Sequence, residues 1–500
     1  MATHLEEITA AVQALTEIYQ PIFGYELQGV KPTRNCEDRL ADVKKIYDLL
    51  SAELGRPLRV LDLGCAQGYF SLHTAKWGGV VTGVDIKREN IALGTLLARE
   101  NPDFKVKFVQ ARIEDFLPGV KAGEYDLVLC FSVLHWCVKF SGFELIQALL
   151  TDLAQKIEIG IFEFALASDF PGNNLPTNYR EFLIGYPFVR ALSYNEWNER
   201  NTVKRPLCLA STKYAYFENL GLLKIDDVLA SPYNTRTTNY FCGDKFVKLF
   251  NMNTQVEQDR VQRDLKFLNT FGGQRGLPRL YISLTEQDEA GMRVFIVRDA
   301  IKGKTLLEKI ANGENFDRWD TIRQILEWLV FFEQYGYYHG DVSTSNFIYG
   351  DDGKVYPIDY ESMRTTTQLF LWAYSVRLQF LYFMNSLLEP RTPEELSFPG
   401  IPCFYPNPRY LTDLKKHVTP RQYERIAAIR EDEKFFARLY EILFEPEKDS
   451  EAYTVAETEI LAIERYISYV GTKLQELEEQ SKEQRRRIEQ LEKIIEGRVK

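Results

Sequence analysis

Two constellations in this sequence have residue types and spacings that can carry chemistry. The first is His339-Gly-Asp341-Val-Ser-Thr-Ser-Asn346, followed by Phe-Ile-Tyr-Gly-Asp351-Asp352-Gly353 and a strand that closes on Asp359. The Asp-Asp-Gly segment lies between strand-forming residues and predicts a hairpin, which folds a second acid back beside the first. Such a set has the types that phosphoryl transfer requires, namely a carboxylate to take or orient a hydroxyl proton and oxygen donors for a hard cation. The second constellation is Asp62-Leu-Gly64-Cys-Ala-Gln-Gly68. It joins an apolar strand, Leu58–Gly64, to a helical segment, Tyr69–Ala75, and a second strand, Val80–Val84, ends in Asp85. Glycine is required where backbone passes close to a ligand, and an acid at that strand end can accept hydrogen bonds from both hydroxyls of a ribose.

The turn is D-x-G-x-x-x-G, which resembles class I S-adenosylmethionine-dependent methyltransferases more than the G-x-G-x-x-G of dinucleotide enzymes. The resemblance spans roughly residues 55 to 165, with a third strand at Val106–Val109, the acidic pair Glu114-Asp115, and a fourth strand and loop from Glu124 to Trp136. It implies that Gly64 and Gly68 let backbone approach the methionine and ribose portions of S-adenosylmethionine, and that Asp85 holds the ribose. Glu114 or its neighbour Ile113 would contact the adenine, and Phe131 would lie beside the cofactor. Tyr19 and Arg39 would sit on a helical arm folded over the cofactor, with Arg39 pairing its carboxylate; the other possibility is a solvated helix face. Ala66 stands where many members have glycine, which leaves the local turn geometry open. His135 closes the fourth-strand loop, either facing the methyl acceptor as a catalytic group or as a satisfied loop histidine. No NPPY-like signature names the acceptor.

The His339–Asp359 pattern resembles the catalytic and metal loops of kinase-fold enzymes. That resemblance implies Asp341 as the residue that positions or deprotonates the acceptor hydroxyl, with Asn346 and Asp359 holding Mg2+ on the phosphates of ATP. Lys245-Phe-Val-Lys248 looks like the strand bearing the phosphate-binding lysine, with Lys248 facing inward. On the helix Val256–Leu268, Asp264 aligns best with the acid that pairs with that lysine, and Glu257 is the alternative. Phe295–Ala300 would be the hinge beside adenine. The stretch Ser231–Thr238 has no glycine-rich loop, which makes Tyr233 a candidate lid residue. DFG is replaced by Asp359-Tyr-Glu, no APE-like motif follows, and helical pattern resumes about ten residues after Asp359. These departures resemble kinases of small hydroxylated compounds, sugars and lipopolysaccharide, so a carbohydrate or another small alcohol is the expected acceptor class.

The elements that must position both sets exceed one core: the chain has 500 residues, so two or three domains are expected. The expected architecture is α/β and α+β multidomain, with a Rossmann-like methyltransferase at 1–220, a two-lobed protein-kinase-like domain at 225–448 and a coiled coil at 450–500. A formal charge of −10 argues against a nucleic-acid partner. The seven cysteines have no zinc spacing and an odd count, which argues for a reducing compartment. The N-terminus lacks a signal-peptide layout. Leu369–Leu388, interrupted by Arg377 and Gln379, predicts a buried helix, with a peripheral membrane contact as the alternative. From Ile460 apolar residues recur at heptad spacing through Ile463, Ile467, Val470, Leu474, Leu477, Ile488, Leu491 and Ile495, which predicts a coiled coil. Arg487-Ile-Glu-Gln-Leu-Glu492 resembles the pattern of parallel trimers.

This three-part order resembles, over essentially the whole chain, the bacterial kinase–methyltransferases that terminate polymannose O-antigen chains of lipopolysaccharide. The resemblance implies phosphorylation of the non-reducing terminal mannose, methylation of that phosphate, a coiled coil acting as a ruler, and a membrane-associated glycosyltransferase partner. It also implies a cytoplasmic location, peripheral at the inner face of the inner membrane. The alternatives are a fused enzyme pair acting on a small metabolite or antibiotic, and a scaffold with degenerate enzyme domains.

Overall fold

The computed structural model describes residues 4–25, 31–170, 172, 174–196, 203–230, 237–288, 291–366, 368–369, 374–389, 414–430 and 433–446, with 473, 477 and 481. The last three are helical, and the rest of the predicted coiled coil lies outside the described residues, as does Tyr233. Through residue 211 the chain runs α1 (His4–Gln13), α2 (Glu37–Leu54), β1 (Arg59–Leu63), α3 (Tyr69–Lys76), β2 (Val80–Asp85), α4 (Arg88–Arg99) and β3 (Lys105–Gln110). It continues with α5 (Ile113–Phe116), β4 (Leu127–Phe131), α6 (Leu134–Ser141), α7 (Phe143–Lys156), β5 (Ile159–Glu163), β6 (Phe188–Glu196) and β7 (Lys204–Ser211).

The sheet order is β3-β2-β1-β4-β5-β7-β6. The first five strands are parallel, β7 is antiparallel to β5, and β6 to β7. Strands β4 and β5 are buried at every position, as expected where a parallel sheet is covered on both faces. The order reverses between β1 and β4, and ligands of open α/β sheets bind outside the carboxyl ends of the strands at that switch point. The Gly64–Gly68 turn, Asp85, Phe131 and Glu163 all stand at those ends.

The chain divides into two compact units, Met1–Asn253 with Tyr281–Ala300, and Thr254–Leu280 with Ile301–Lys500. The first unit also holds β8 (Tyr214–Phe217), β9 (Gly221–Lys224) and a five-stranded sheet. That sheet comprises β10 (Asp227–Ala230), β11 (Thr237–Cys242), β12 (Lys245–Met252), β13 (Leu280–Asp288) and β14 (Gly291–Asp299). Phe188, Leu209, Tyr240, Val247, Leu249 and Phe295 share one apolar core. Polar contacts reinforce it: Glu286 meets Arg293 at 2.6 Å and Arg190 at 3.4 Å, and Arg180 meets Asp288 at 3.0 Å.

In the second unit α8 (Gln255–Phe271) opens with a capping box formed by Thr254 and Glu257. There follow β15 (Gly303–Thr305), α9 (Leu306–Ala311), α10 (Arg318–Gln334), β16 (Tyr338–His339), β17 (Phe347–Gly350), β18 (Val355–Pro357) and β19 (Met363–Arg364). Helices α11 (Val376–Leu388), α12 (Pro420–Ala427) and α13 (Phe435–Phe444) complete it. Strands β17 and β18 pair as the predicted hairpin across Asp351–Gly353. Phe267 stacks on Tyr360 with ring centroids 4.6 Å apart, which fixes α8 against the segment after Asp359. Every residue of α11 from Val376 to Asn385 is buried, as predicted for the apolar stretch, and among the described residues no helix is long and apolar enough to cross a membrane. Helix α11 begins later than the sequence spacing suggested. A single 3-10 turn and β19 follow Asp359, and the β-branched run Thr365-Thr-Thr disfavours an earlier helix.

Candidate active sites

At the first site the turn geometry dictates its residues. Gly64 and Gly68 have φ of +70° and +83°, and a Cβ on either would fall 2.7 Å from Val133 and Phe108 respectively. Ala66 adopts φ +47° without being glycine, a conformation that costs an L-residue roughly 1–2 kcal/mol; its N–H donates to Asp85 Oδ2 at 3.0 Å. Asp85 Oδ1 accepts from Lys87 N at 2.8 Å and Asn90 Nδ2 at 3.1 Å. Each carboxylate oxygen has two lone pairs, so Oδ2 keeps capacity for a ribose hydroxyl. Gln67 Nε2 donates to Asn90 at 2.9 Å, and Gln20 ties the N-terminal segment to the turn through Gln67 and the Tyr69 N–H.

The arm differs from expectation. Tyr19 is half-buried but lies between α1 and α2, not in a helix; Pro21 disfavours helical backbone at the residue before it. Arg39, in the first turn of α2, is 1 % exposed, so it is no solvated face. Its Nη1 donates to Glu163 Oε2 at 3.0 Å. Arg34 also pairs with Glu163 and donates to Ser132 Oγ at 2.9 Å, and Ser132 in turn donates to Glu163. Two buried guanidinium groups share one buried carboxylate, and the other carboxylate near Arg39, that of Asp38 at 3.9 Å, is solvent-exposed. The buried part of the cluster therefore carries excess positive charge at the ends of β4 and β5, which suits an anionic group such as the carboxylate of a methionine moiety.

Ile113 is buried in the core, whereas Glu114 accepts from Ser141 Oγ at 2.7 Å and Arg112 Nη2 at 3.1 Å. Phe131 meets Phe70 edge-on at 4.6 Å. His135 is in the first turn of α6, not in a loop, and its ring stacks on Phe170 at 4.7 Å. Its Nδ1 has no hydrogen-bond partner among the described residues. Burial, then the charge of Arg205, pushes its pKa down to about 3, so the imidazole stays neutral near pH 7 and is a weak proton acceptor.

Sequence reasoning assigned no role to Arg34, Ser132, Glu163, Gln20, Gln67 or Asn90, and it quoted Asp62 in the turn motif without giving it one. Glu163 did leave a readable signal, an acid ending an otherwise apolar strand. Asp62 is buried, accepts from Ser71 Oγ at 2.6 Å, and has its carboxyl pushed up to about 7, first by burial and then by Asp85. The folded protein thus holds a proton that the unfolded chain loses near 3.8. Stability from this group is present below the unfolded value and is lost as pH rises toward about 7. Asp62→Asn should therefore remove part of the loss of melting temperature between pH 5 and pH 8, and parallel profiles for variant and wild type would refute that assignment.

The second set lies within the second unit. His339 bridges the loop: Nε2 is 2.9 Å from the Ile358 carbonyl, and Nδ1 faces the Asp341 N–H at 3.2 Å. Asn346 Nδ2 donates to the Asp341 carbonyl at 2.9 Å, and the Asn346 carbonyl accepts from Ile358 N at 2.9 Å. The amide is thereby oriented with Oδ1 left to coordinate. Asp359 has φ +64°, and its Oδ2 accepts from Ser362 Oγ at 2.9 Å. Asp341 is half-buried, and its carboxylate accepts no hydrogen bond among the described residues. The amide oxygen of Asn346 and the Asp359 carboxylate are hard oxygen donors. Mg2+ is usually bound by one or two protein carboxylates plus phosphates and water.

Lys248 stands opposite Asn239 and Ile296 in the first unit's sheet, alternating with the core residues Val247 and Leu249. Its Nζ is 4.8 Å from the Phe250 ring. Of the two acids considered on α8, Glu257 serves the capping box, accepting from Thr254 N at 2.9 Å, while Asp264 is buried further along the helix.

Residues 60–153 match a family model described as a methyltransferase domain. An Escherichia coli protein described as O-antigen chain terminator bifunctional methyltransferase/kinase WbdD is 30 % identical over 401 residues, 76 % of this chain and 56 % of its own length. The chain thus spans little more than half the length of that curated relative. A low-resolution structure of WbdD with its C-terminal bundle ordered aligns with a TM-score of 0.72 and 27 % identity, covering 97 % of this chain and 99 % of that one. A high-resolution WbdD crystal structure aligns at 0.68 and 27 %, covering 87 % and 94 %. The architecture expected from the sequence, a methyltransferase domain with a kinase-like region, is that of these matches.

Proposed function

From its homology with the O-antigen chain terminator bifunctional methyltransferase/kinases over three quarters of its length, we propose that this chain phosphorylates the non-reducing terminal sugar of an O-antigen polysaccharide and then methylates that phosphate. Mannose is the proposed sugar, and the modified end stops chain growth. The observation that carries the proposal is one chain holding both an acid-and-amide loop suited to phosphoryl transfer and a glycine turn beside a buried cluster with excess positive charge.

Asp341 orients the sugar hydroxyl and takes its proton as the phosphoryl group arrives. Asn346 and Asp359 are the proposed holders of Mg2+, whose chemistry is to neutralise charge on the phosphates of ATP. Lys248, Asp264 and Tyr233 are the further residues proposed, each by its place in the sequence, to contact ATP. Gly64, Gly68, Asp85, Ile113, Glu114 and Phe131 line S-adenosylmethionine, with Tyr19 and Arg39 at its methionine end. A phosphate monoester is already anionic near pH 7, so methyl transfer to it needs orientation and no strong base. The depressed basicity of His135 agrees with a positioning role. The division into 1–220, 225–448 and 450–500, a trimeric coiled coil, and a glycosyltransferase partner at the inner face of the bacterial inner membrane belong to the same proposal.

The test is mass spectrometry of oligomannosides after incubation with the chain, ATP, Mg2+ and S-adenosylmethionine, omitting each in turn. The expected products are a phosphorylated oligomannoside without S-adenosylmethionine and its methyl ester with it. Unmodified sugar would reject the substrate, and methylation without ATP would reject the order.

A further inference from the structure

Arg263 on α8 and Arg364 at the end of β19 bring two guanidinium groups to the backbone that follows Asp359, and Arg260, one turn before Arg263 on α8, lies close enough to repel Arg364. Arg263 Nε and Arg364 Nη1 donate to the same acceptor, the Glu361 carbonyl oxygen, at 2.8 and 3.1 Å. Arg364 Nη1 also reaches the Met363 carbonyl at 3.2 Å. Two donor nitrogens on one oxygen lie no farther apart than those two bonds laid end to end. Arg364 is further repelled by Arg260, and its pKa is lowered, first by burial and then by Arg263 and Arg260, against the opposing Asp359 and Glu361. Among the described residues none of the three arginines forms an ion pair with a carboxylate. Like charges held this close cost free energy unless an anion joins them.

We propose that Arg260, Arg263 and Arg364 form a binding site for a phosphomonoester dianion, apart from the residues assigned to either transfer reaction. Guanidinium forks match several oxygens of a tetrahedral dianion at once, which a single carboxylate cannot supply. The inference rests on the arginine geometry and not on the proposed substrate. Two sources can provide the group. One is phosphate or a phosphoester from solution. The other is the chain itself, since Thr365 and Thr366 directly follow Arg364 and are exposed. Esterification there would form an Oγ–phosphorus bond with the γ-phosphoryl of ATP, release ADP and give the hydroxyl proton to solvent. Either dianion would neutralise the cluster and firm the segment that holds Asp359 in its left-handed conformation.

The test uses the full chain, with peptide mass spectrometry over Thr365 and Thr366 and calorimetric titration with inorganic phosphate against chloride of equal ionic strength. If both threonines are unmodified, phosphate should bind, and Arg260→Gln and Arg364→Gln should each weaken it by about tenfold. If either carries phosphate, the wild type should not bind, and Thr365→Val with Thr366→Val should restore binding; this identifies the chain as the source. Arg260 makes no hydrogen bond among the described residues, so Arg260→Gln should melt like the wild type and remain a fair probe. An unmodified wild type that ignores phosphate, or an Arg260→Gln chain that binds it as tightly as the wild type, would overturn the site.

Discussion

Asp341→Asn is expected to lower phosphoryl transfer by roughly 10²–10⁴-fold, the range a positioned acid–base group contributes, with no comparable effect on folding or on methyl transfer to a pre-phosphorylated acceptor. The structure separates these effects. The bonds that hold the loop use the Asp341 backbone, its N–H toward His339 Nδ1 and its carbonyl toward Asn346 Nδ2. Asparagine keeps both. What it loses is the carboxylate, which is half-buried and accepts no hydrogen bond among the described residues. Measuring kcat at saturating ATP together with the melting temperature distinguishes the cases. A stable variant that keeps most of its kcat would place the base elsewhere, and a variant that melts early would give Asp341 a structural role.

The second large effect concerns stability. Glu163 is fully buried and is the shared partner of Arg34, Arg39 and Ser132. Glu163→Ala removes the one buried counter-charge of two desolvated guanidinium groups, leaving Arg39 only the exposed Asp38 at 3.9 Å, and breaking a buried pair in this way costs about 3–5 kcal/mol. For a unit of this size that corresponds to a fall on the order of 10 °C in the melting temperature. Because excess positive charge then rises at the ends of β4 and β5, an anion such as phosphate should stabilise Glu163→Ala more than the wild type. Calorimetry with and without phosphate checks both points. A melting temperature within a degree or two of the wild type would mean that water satisfies the arginines after substitution.

Much of the apparatus was legible because it is local in sequence. The catalytic acid, the amide and the second acid lie along one loop and one hairpin, and Asp351-Asp-Gly announces the turn. The glycine turn is equally local, down to the departure at Ala66. One local signature was passed over: Thr254 followed three residues later by Glu257 is a capping box, which gives Glu257 a structural role at the start of α8. The helical arm around Tyr19 was implied by the family resemblance, although Pro21 disfavours helical backbone at Gln20, the residue next to Tyr19.

The amino-acid sequence by itself determined the order of elements, the turns and the residue types at the strand ends, since these follow from backbone sterics and periodicity within a few neighbours. Only the tertiary structure decided partners and charge states. Arg34, Arg39, Ser132 and Glu163 are brought together from three separate segments, Asp62 and His135 owe their shifted protonation to burial, and Arg263 and Arg364 meet on one carbonyl only when α8 packs against β19. The physical reason is that the strength of an ionic interaction depends on distance and on the exclusion of water, and both are fixed by which distant segments pack together.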